Sequence, residues 1–140
     1  MTAKEYLNQY RTLNARIDAK IAQAERLRYL ARTPGAQRPS NDIHSTAPHD
    51  KIGELTAKIF DLEREINSEI DSLVDLEREI RGCIARVPKE NQRLVLELKY
   101  INGETLVRIA DRLHYSLDGV KKIHKLALES VHPITPFAVI

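Results

Sequence analysis

The stretch Thr105–Leu128, TLVRIADRLHYSLDGVKKIHKLAL, decides the fold of the C-terminal part of the chain. Its apolar residues recur at helical spacing and predict one short helix over 106–113 and a second over roughly 117–130. Thr105 and Ser116 stand directly before these helices, where a hydroxyl oxygen accepts a hydrogen bond from a free backbone N–H. Two helices joined by a short corner, with another helix in front, indicate a helix-turn-helix.

The corner between the two helices falls at His114. Glycine is favoured at this position of the motif because it takes a positive φ without strain, and histidine tolerates that conformation better than most residues. We therefore expect a corner that is strained or differently shaped. The residues predicted to be buried around it are Ile109, Ala110, Leu113, Tyr115, Val120 and Ile123.

The helix in front is predicted to begin at Pro88, because proline suits the first turn of a helix. Asn102-Gly103 is predicted to end it, since glycine favours helix C-termini. One apolar face is expected, made of Leu94, Val95, Leu98 and Ile101. Residues 88–131 are therefore predicted to form the helix-turn-helix domain, followed by a proline-containing tail over 132–140.

A long helix is predicted over residues 50–87, where apolar residues alternate at spacings of three and four. That period is typical of a coiled-coil seam, which needs a partner helix to cover it. Glu69 is the one polar residue of the seam. The seam positions are Ile52, Leu55, Ile59, Leu62, Ile66, Glu69, Leu73, Leu76, Ile80, Cys83 and Val87.

The charge pattern indicates which helix covers the seam. Residues 1–33 predict a helix with seven basic and three acidic side chains, whereas residues 50–81 carry five basic and ten acidic ones. Because residues 34–49 are rich in proline and small polar residues, they predict a flexible linker. An antiparallel hairpin of the two oppositely charged helices is favoured. Homodimerisation along residues 50–87 is the alternative.

The composition excludes several classes of protein. Tryptophan is absent and aromatic residues make up only 5% of the chain, which argues against an all-β fold and leaves an all-α protein. No apolar stretch is long enough to span a membrane, and the first residues lack the apolar region of a signal peptide. With the single cysteine Cys83 there is no internal disulfide. We expect a cytoplasmic protein of a bacterial cell.

The runs Tyr100–Ser116, YINGETLVRIADRLHYS, and Val120–Leu128, VKKIHKLAL, resemble region 4 of sigma-70-type RNA polymerase sigma factors. The whole chain is similar to small phage and prophage transcriptional regulators of the autolysin-regulator (ArpU-like) type. These also have a tyrosine-serine corner, a linker and a helix of DLEREI character, here at 61–66 and 75–80. Two residues depart from the sigma pattern: Arg108 stands where that pattern usually has glutamate, and Leu126 stands where it usually has a basic residue.

This context predicts DNA binding through the last helix, which would enter a major groove. Lys121 and Lys122 are expected to reach guanine edges or phosphates, and Lys125 a phosphate. Asp118 either accepts a hydrogen bond from cytosine or complements the helix dipole. The predicted DNA-binding residues are Ser116, Leu117, Asp118, Lys121, Lys122 and Lys125, with Arg108 and Arg112 from the preceding helix and Arg93 and Lys99 as weaker candidates.

No catalytic constellation, cofactor motif or metal site is expected. The histidines His44, His49, His114, His124 and His132 are scattered, and the carboxylates of 50–81 form a solvated helix face. Cys83 is expected to pack as a small apolar residue. The chain is therefore predicted not to be an enzyme.

The sequence and its resemblance together predict a phage-type transcriptional regulator that binds double-stranded promoter DNA and activates late genes. RNA polymerase is implied as a partner, because sigma region 4 touches both promoter and polymerase. Two alternatives belong to other classes. A small terminase subunit would combine similar elements for DNA packaging, and a coiled-coil adaptor would bind proteins without binding DNA.

Overall fold

The computed structural model describes residues 1–32 and 48–132. The predicted linker lies outside the described residues except for its last two positions, and the predicted tail except for its first. In the described ranges all regular structure is helical, so the predicted all-α fold is confirmed. No helix in those ranges is long and apolar enough to cross a membrane.

The helices follow one another in simple order along the chain. They are α1 (Ala3–Arg32), α2 (Pro48–Ala85), α3 (Glu90–Leu96), which continues as a π-helical turn (Glu97–Ile101), α4 (Leu106–Leu113) and α5 (Leu117–Glu129).

Two compact units share these helices. One, called here the helix-turn-helix unit, contains Met1–Asn14 and the chain from Ser72 onward. The other, called here the arm unit, contains Ala15–Asp71. Both units therefore contain part of α1 and part of α2.

The arm unit is an antiparallel pairing of α1 with α2. Ile17 and Ala24 on α1 are buried, as are Leu62 and Ile66 of the predicted seam. Because the described part of this unit has no other helix, these faces cover one another. Ile52, at the beginning of the seam, is exposed.

Ion pairs of the predicted sign join the two helices in the arm unit. Lys20 contacts Glu69 at 2.7 Å and Glu65 at 3.4 Å, and Arg28 pairs with Glu63. Since the later residue of α1 pairs with the earlier residue of α2, these contacts give the helices their antiparallel direction. The hairpin expected from the opposite charges is therefore present.

The helix-turn-helix unit has a large apolar cluster to which α1, α2, α3, the π-helical turn and α5 all contribute. Its burial is the main stabilising contribution, at about 25 cal/mol for each Å² of apolar surface removed from water. The buried members are Tyr6, Leu7, Ile80, Cys83, Ile84, Val87, Leu96, Tyr100, Ile101, Ala127 and Val131.

A second apolar cluster lies between α3, the π-helical turn, α4 and α5. Ala110 is buried here, as expected for a small residue at the crossing of α4 and α5. The buried members are Val95, Leu98, Ile109, Ala110 and Val120, with Leu106, Leu113 and Ile123 packed against them.

Several local predictions differ from the structure. Helix α3 begins at Glu90, with Lys89 rather than a residue before Pro88 as its N-cap. Leu94 is exposed because the buried face of α3 is centred on Val95 and Leu96. Each residue of a helix is turned by about 100° from the one before it, which places Leu94 outside that face. Tyr115, which the sequence predicts to be buried, has 46% of its surface exposed because it lies in the connection between α4 and α5.

Candidate nucleic-acid interface

The corner between α4 and α5 sets the angle at which α5 is presented. His114 has φ 60° and ψ 37°, a left-handed conformation, so of the two expectations for this corner the strained one is present. The backbone N–H of His114 donates to the carbonyl of Asp111, and that of Tyr115 donates to Ala110 at 3.0 Å. These bonds end α4 and turn the chain sharply into α5.

Both helices begin with the predicted hydroxyl caps. The Thr105 hydroxyl oxygen accepts a hydrogen bond from the backbone N–H of Arg108 at 3.2 Å, and the Ser116 hydroxyl accepts one from Gly119 at 3.1 Å. A Cβ atom on Gly119 would lie 3.0 Å from that Ser116 oxygen, so glycine gives the cap room. Ser116 therefore acts as the cap of α5, which leaves only part of its hydrogen-bonding capacity for a ligand.

Helix α5 has one buried and one exposed face. Val120 and Ala127 are fully buried and hold the helix against the rest of the unit. The opposite face carries every α5 residue that the sequence predicts to bind DNA, and all of them are exposed. These residues are Leu117, Asp118, Lys121, Lys122 and Lys125.

The three lysines of this face have uncompensated charges. Within the described residues, no carboxylate forms an ion pair with Lys121, Lys122 or Lys125. Asp118 lies in the first turn of α5, where a negative charge is favoured by the helix dipole. The face is therefore positive along most of its length and suits a polyanion.

The two arginines of α4 differ in how they are held. Arg108 is exposed and makes no ion pair within the described ranges. Arg112 contacts Glu104 at 3.1 Å, and the Glu104 side chain is only 15% exposed. Because Glu104 precedes α4, this pair ties the beginning of the helix to its last turn. Arg108 is consequently freer to bind a ligand than Arg112.

Arg93 and Lys99, the weaker candidates, are engaged within the protein. Arg93 donates hydrogen bonds to the carbonyls of Val87 and Pro88, at 2.7 and 3.0 Å, and so fixes the connection between α2 and α3. Lys99 lies over the Tyr100 ring, with its Nζ 5.7 Å from the ring centroid. Its charge is attracted to the ring face but is not neutralised there.

A polar pair of the buried Tyr100 and the partly buried His124 lies beside the exposed face of α5. The Tyr100 hydroxyl and Nε2 of His124 share a hydrogen bond of 2.7 Å, and the two rings stack. Burial, with the nearby positive charges of Lys99 and Lys4, lowers the pKa of His124 to about 4. Burial also raises the pKa of Tyr100 to about 12. Both groups are thus neutral at pH 7, and His124 packs at the edge of α5.

No group of three or more His, Cys, Asp or Glu side chains able to hold a metal ion occurs in ranges 1–32 and 48–132. Cys83 is fully buried, with its Sγ 3.6 Å from the Tyr6 hydroxyl and 3.4 Å from Arg86. It packs in the seam as a small residue.

Sequence reasoning missed the contribution of α1 to this unit. Tyr6 and Leu7 are buried in the same cluster as Ala127 and Val131 of the α5 region, and Ala3 and Tyr10 pack against it. The signal was present, since these four residues follow the i, i+3, i+4, i+7 pattern of one helix face. The pattern alone does not identify the surface that this face covers.

Comparison with known proteins identifies the C-terminal module. Residues 89–132 match the family model described as Sigma-70, region 4. The module is thus a sigma-70 region 4-like helix-turn-helix of the DNA-binding kind, as the resemblance implied. Neither the curated proteins nor the solved structures include a match to the chain.

Proposed function

We propose that this protein is a transcriptional regulator that binds promoter DNA through α5. The observation that carries the proposal is the exposed, unpaired lysine face of α5 within a sigma-70 region 4-like helix-turn-helix. Lysines that neutralise phosphates release counterions, which provides most of the sequence-independent binding energy of such proteins.

In the proposed complex α5 lies in the major groove of double-stranded DNA. Lys121 and Lys122 donate hydrogen bonds to guanine O6 and N7 or to phosphates, and Lys125, one turn later, binds a phosphate. Asp118 accepts a hydrogen bond from a cytosine N4 amino group. These contacts use only side chains of the exposed α5 face, so the helix docks without rearrangement.

The residues at the two ends of the helix-turn-helix complete the proposed interface. Leu117 offers an apolar surface to a thymine methyl group, and Ser116 holds the N-terminus of α5 in place. Arg108 binds the DNA backbone from α4, the helix that crosses it in this motif. Arg112 reaches the same strand once its pairing with Glu104 loosens.

The resemblance of the whole chain to ArpU-like regulators supports a more specific role. We infer that the protein activates a late-gene promoter of a phage or prophage, with RNA polymerase as a second partner of the same module. Footprinting of the genome in the native host tests this role. Protected sites upstream of promoters support it, whereas protection at a single DNA-packaging site contradicts it.

DNA binding itself is tested with the triple variant Lys121→Ala/Lys122→Ala/Lys125→Ala. Fluorescence anisotropy of a labelled duplex of mixed sequence measures affinity at several salt concentrations. We expect weaker binding and a flatter dependence of log K on log salt, by about 0.9 for each phosphate that the protein no longer neutralises.

The matched control is Lys51→Ala/Lys58→Ala/Lys89→Ala, which removes three exposed lysines that lie outside the proposed interface. Both variants have the same net charge, so a non-specific loss of positive charge affects them equally. An equal salt dependence for the two variants would overturn the proposed interface.

A further inference from the structure

The first turns of α1 and the C-terminal part of α5 share one apolar cluster in the helix-turn-helix unit. Ala3, Tyr6 and Leu7 belong to the apolar cluster that also contains Ala127, and Leu128 of α5 packs against the same cluster. Tyr6 is held further by its hydroxyl, which donates a hydrogen bond of 2.7 Å to Glu79 of α2. The beginning of α1 is thus a fixed part of this unit.

Lys4 of α1 is exposed and directly follows Ala3, which packs against the shared apolar cluster. Its charge is also one of those that lower the pKa of His124. Lys99 acts on the same imidazole from the π-helical turn, since it lies over the Tyr100 ring that is hydrogen-bonded to His124. Two cations from separate elements therefore flank one edge of α5.

The same edge continues into the lysines of the exposed face. Lys121 precedes His124 by three residues, and residues three apart are neighbours on a helix surface. Lys125 directly follows His124 in the sequence and lies further towards the exposed face of α5. Lys4 and Lys99 both act on His124, and Lys121 and Lys125 are neighbours of His124 on α5, so the four lysines come from three elements.

None of these four lysines forms an ion pair in the described ranges, although Lys99 contacts the face of the Tyr100 ring. In the arm unit, by contrast, Lys20 and Arg28 both pair with glutamates of α2. Positive charges without counter-ions in the protein favour the binding of an external anion.

We propose that Lys4 and Lys99 form a phosphate-binding flank beside α5. This flank binds the backbone of the DNA duplex whose major groove α5 enters. The inference rests on the proposed function, because the duplex must first be oriented by α5. Such contacts carry no sequence information but fix the register of the protein on the duplex. The family match begins at residue 89, so Lys4 lies outside it.

The test compares Lys4→Gln/Lys99→Gln with the wild type by the same anisotropy titration across salt concentrations. If each lysine binds one phosphate, the slope of log K against log salt falls by roughly 1.8. Lys4→Arg/Lys99→Arg retains the charges and is expected to restore the wild-type slope. Lys51→Gln/Lys58→Gln in the arm unit is the matched control and should leave the slope unchanged.

The outcomes separate this inference from the proposed function. A wild-type slope for Lys4→Gln/Lys99→Gln, together with a flattened slope for the α5 triple variant, overturns the flank alone. Unchanged slopes for both variants overturn the α5 interface as well. Thermal unfolding followed by circular dichroism is measured for each variant, and the slope of a destabilised variant is determined below its unfolding transition.

Discussion

His124 is partly buried in an environment that disfavours its charged form. Its pKa is lowered to about 4 by burial and by Lys99 and Lys4, while in an unfolded chain it is about 6.5. Between these values the unfolded state binds the proton more readily than the folded state. The stability contributed by neutral His124 is therefore fully present above about pH 6.5 and is lost as the pH falls towards 4.

We expect the variant His124→Gln to lose this part of the pH dependence, because glutamine stays neutral and still accepts a hydrogen bond from Tyr100. Urea midpoints measured at intervals between pH 7 and pH 4 should fall less steeply for the variant than for the wild type. Carboxylates titrate in both proteins, so the difference isolates His124. His132→Gln, at an exposed position, should follow the wild type. Parallel curves for all three proteins would contradict the prediction.

Among single residues, those whose conformation depends on hydrogen bonds to near neighbours in the chain are predictable from the sequence. The caps Thr105 and Ser116 and the left-handed His114 depend on hydrogen bonds within three or four residues, so neighbouring residues determine them. Exposure is harder to predict. Leu94 and Tyr115 are apolar residues next to buried ones, and only the packing of α3 and the connection before α5 reveals that they face outward.

Among the elements, α2 has the clearest sequence pattern and one informative exception to it. Glu69 occupies a seam position, its side chain is 20% exposed, and one of its oxygens is buried without a hydrogen-bond partner. Lys20 compensates the charge at 2.7 Å, and Arg16 approaches to 3.4 Å. A polar residue in a seam selects the partner that can pair with it, at a cost in stability.

We therefore expect Glu69→Leu to increase self-association. A seam that is apolar throughout can pair with a second copy of α2, whereas Glu69 would be buried there without Lys20. Sedimentation velocity across a range of protein concentrations measures the change. Glu65→Leu is a stringent control, because Glu65 also pairs with Lys20 but is exposed outside the seam. Equal sedimentation of both variants would show that Glu69 does not select the partner.

The period of three and four residues locates the seam, and the opposite charges identify α1 as its cover. The helix boundaries predicted from the same pattern are displaced by about two residues, since α2 spans Pro48–Ala85. Helix ends depend on single hydrogen bonds, whereas a seam is defined by many residues together. Val87 illustrates the difference, because it lies beyond the end of α2 and is nevertheless buried.

At the scale of the whole molecule, the two compact units do not coincide with the segments predicted from the sequence, because each unit contains part of α1 and part of α2. The apolar cluster of the helix-turn-helix unit joins Leu7 to Ala127, residues far apart in the chain. A helical pattern shows that one face of α1 is apolar, but the residue partners of that face depend on tertiary packing. Leu7 shows this dependence, because it is fully buried in a cluster that the sequence of α1 does not identify.

These units predict that the arm can be removed without loss of DNA binding. Arg16 and Glu69 are in contact, so the cut ends of α1 and α2 are separated by about one helix spacing, roughly 8–10 Å. A short glycine-serine loop in place of residues 15–71 spans that distance. Lys4, Lys99 and the α5 lysines all remain, and we expect affinity within about twofold of the wild type and the same salt dependence.

Deletion of residues 1–14 should have the opposite effect, although it removes far less of the chain. Without Tyr6 and Leu7 the apolar cluster loses two buried side chains, and truncation of one such leucine already costs about 2–5 kcal/mol. Circular dichroism and anisotropy measure folding and binding of both shortened proteins.

If the arm-deleted protein unfolds cooperatively but no longer binds DNA, the arm itself supplies DNA contacts or an assembly that binding requires. If it binds normally, the arm is not required for DNA binding.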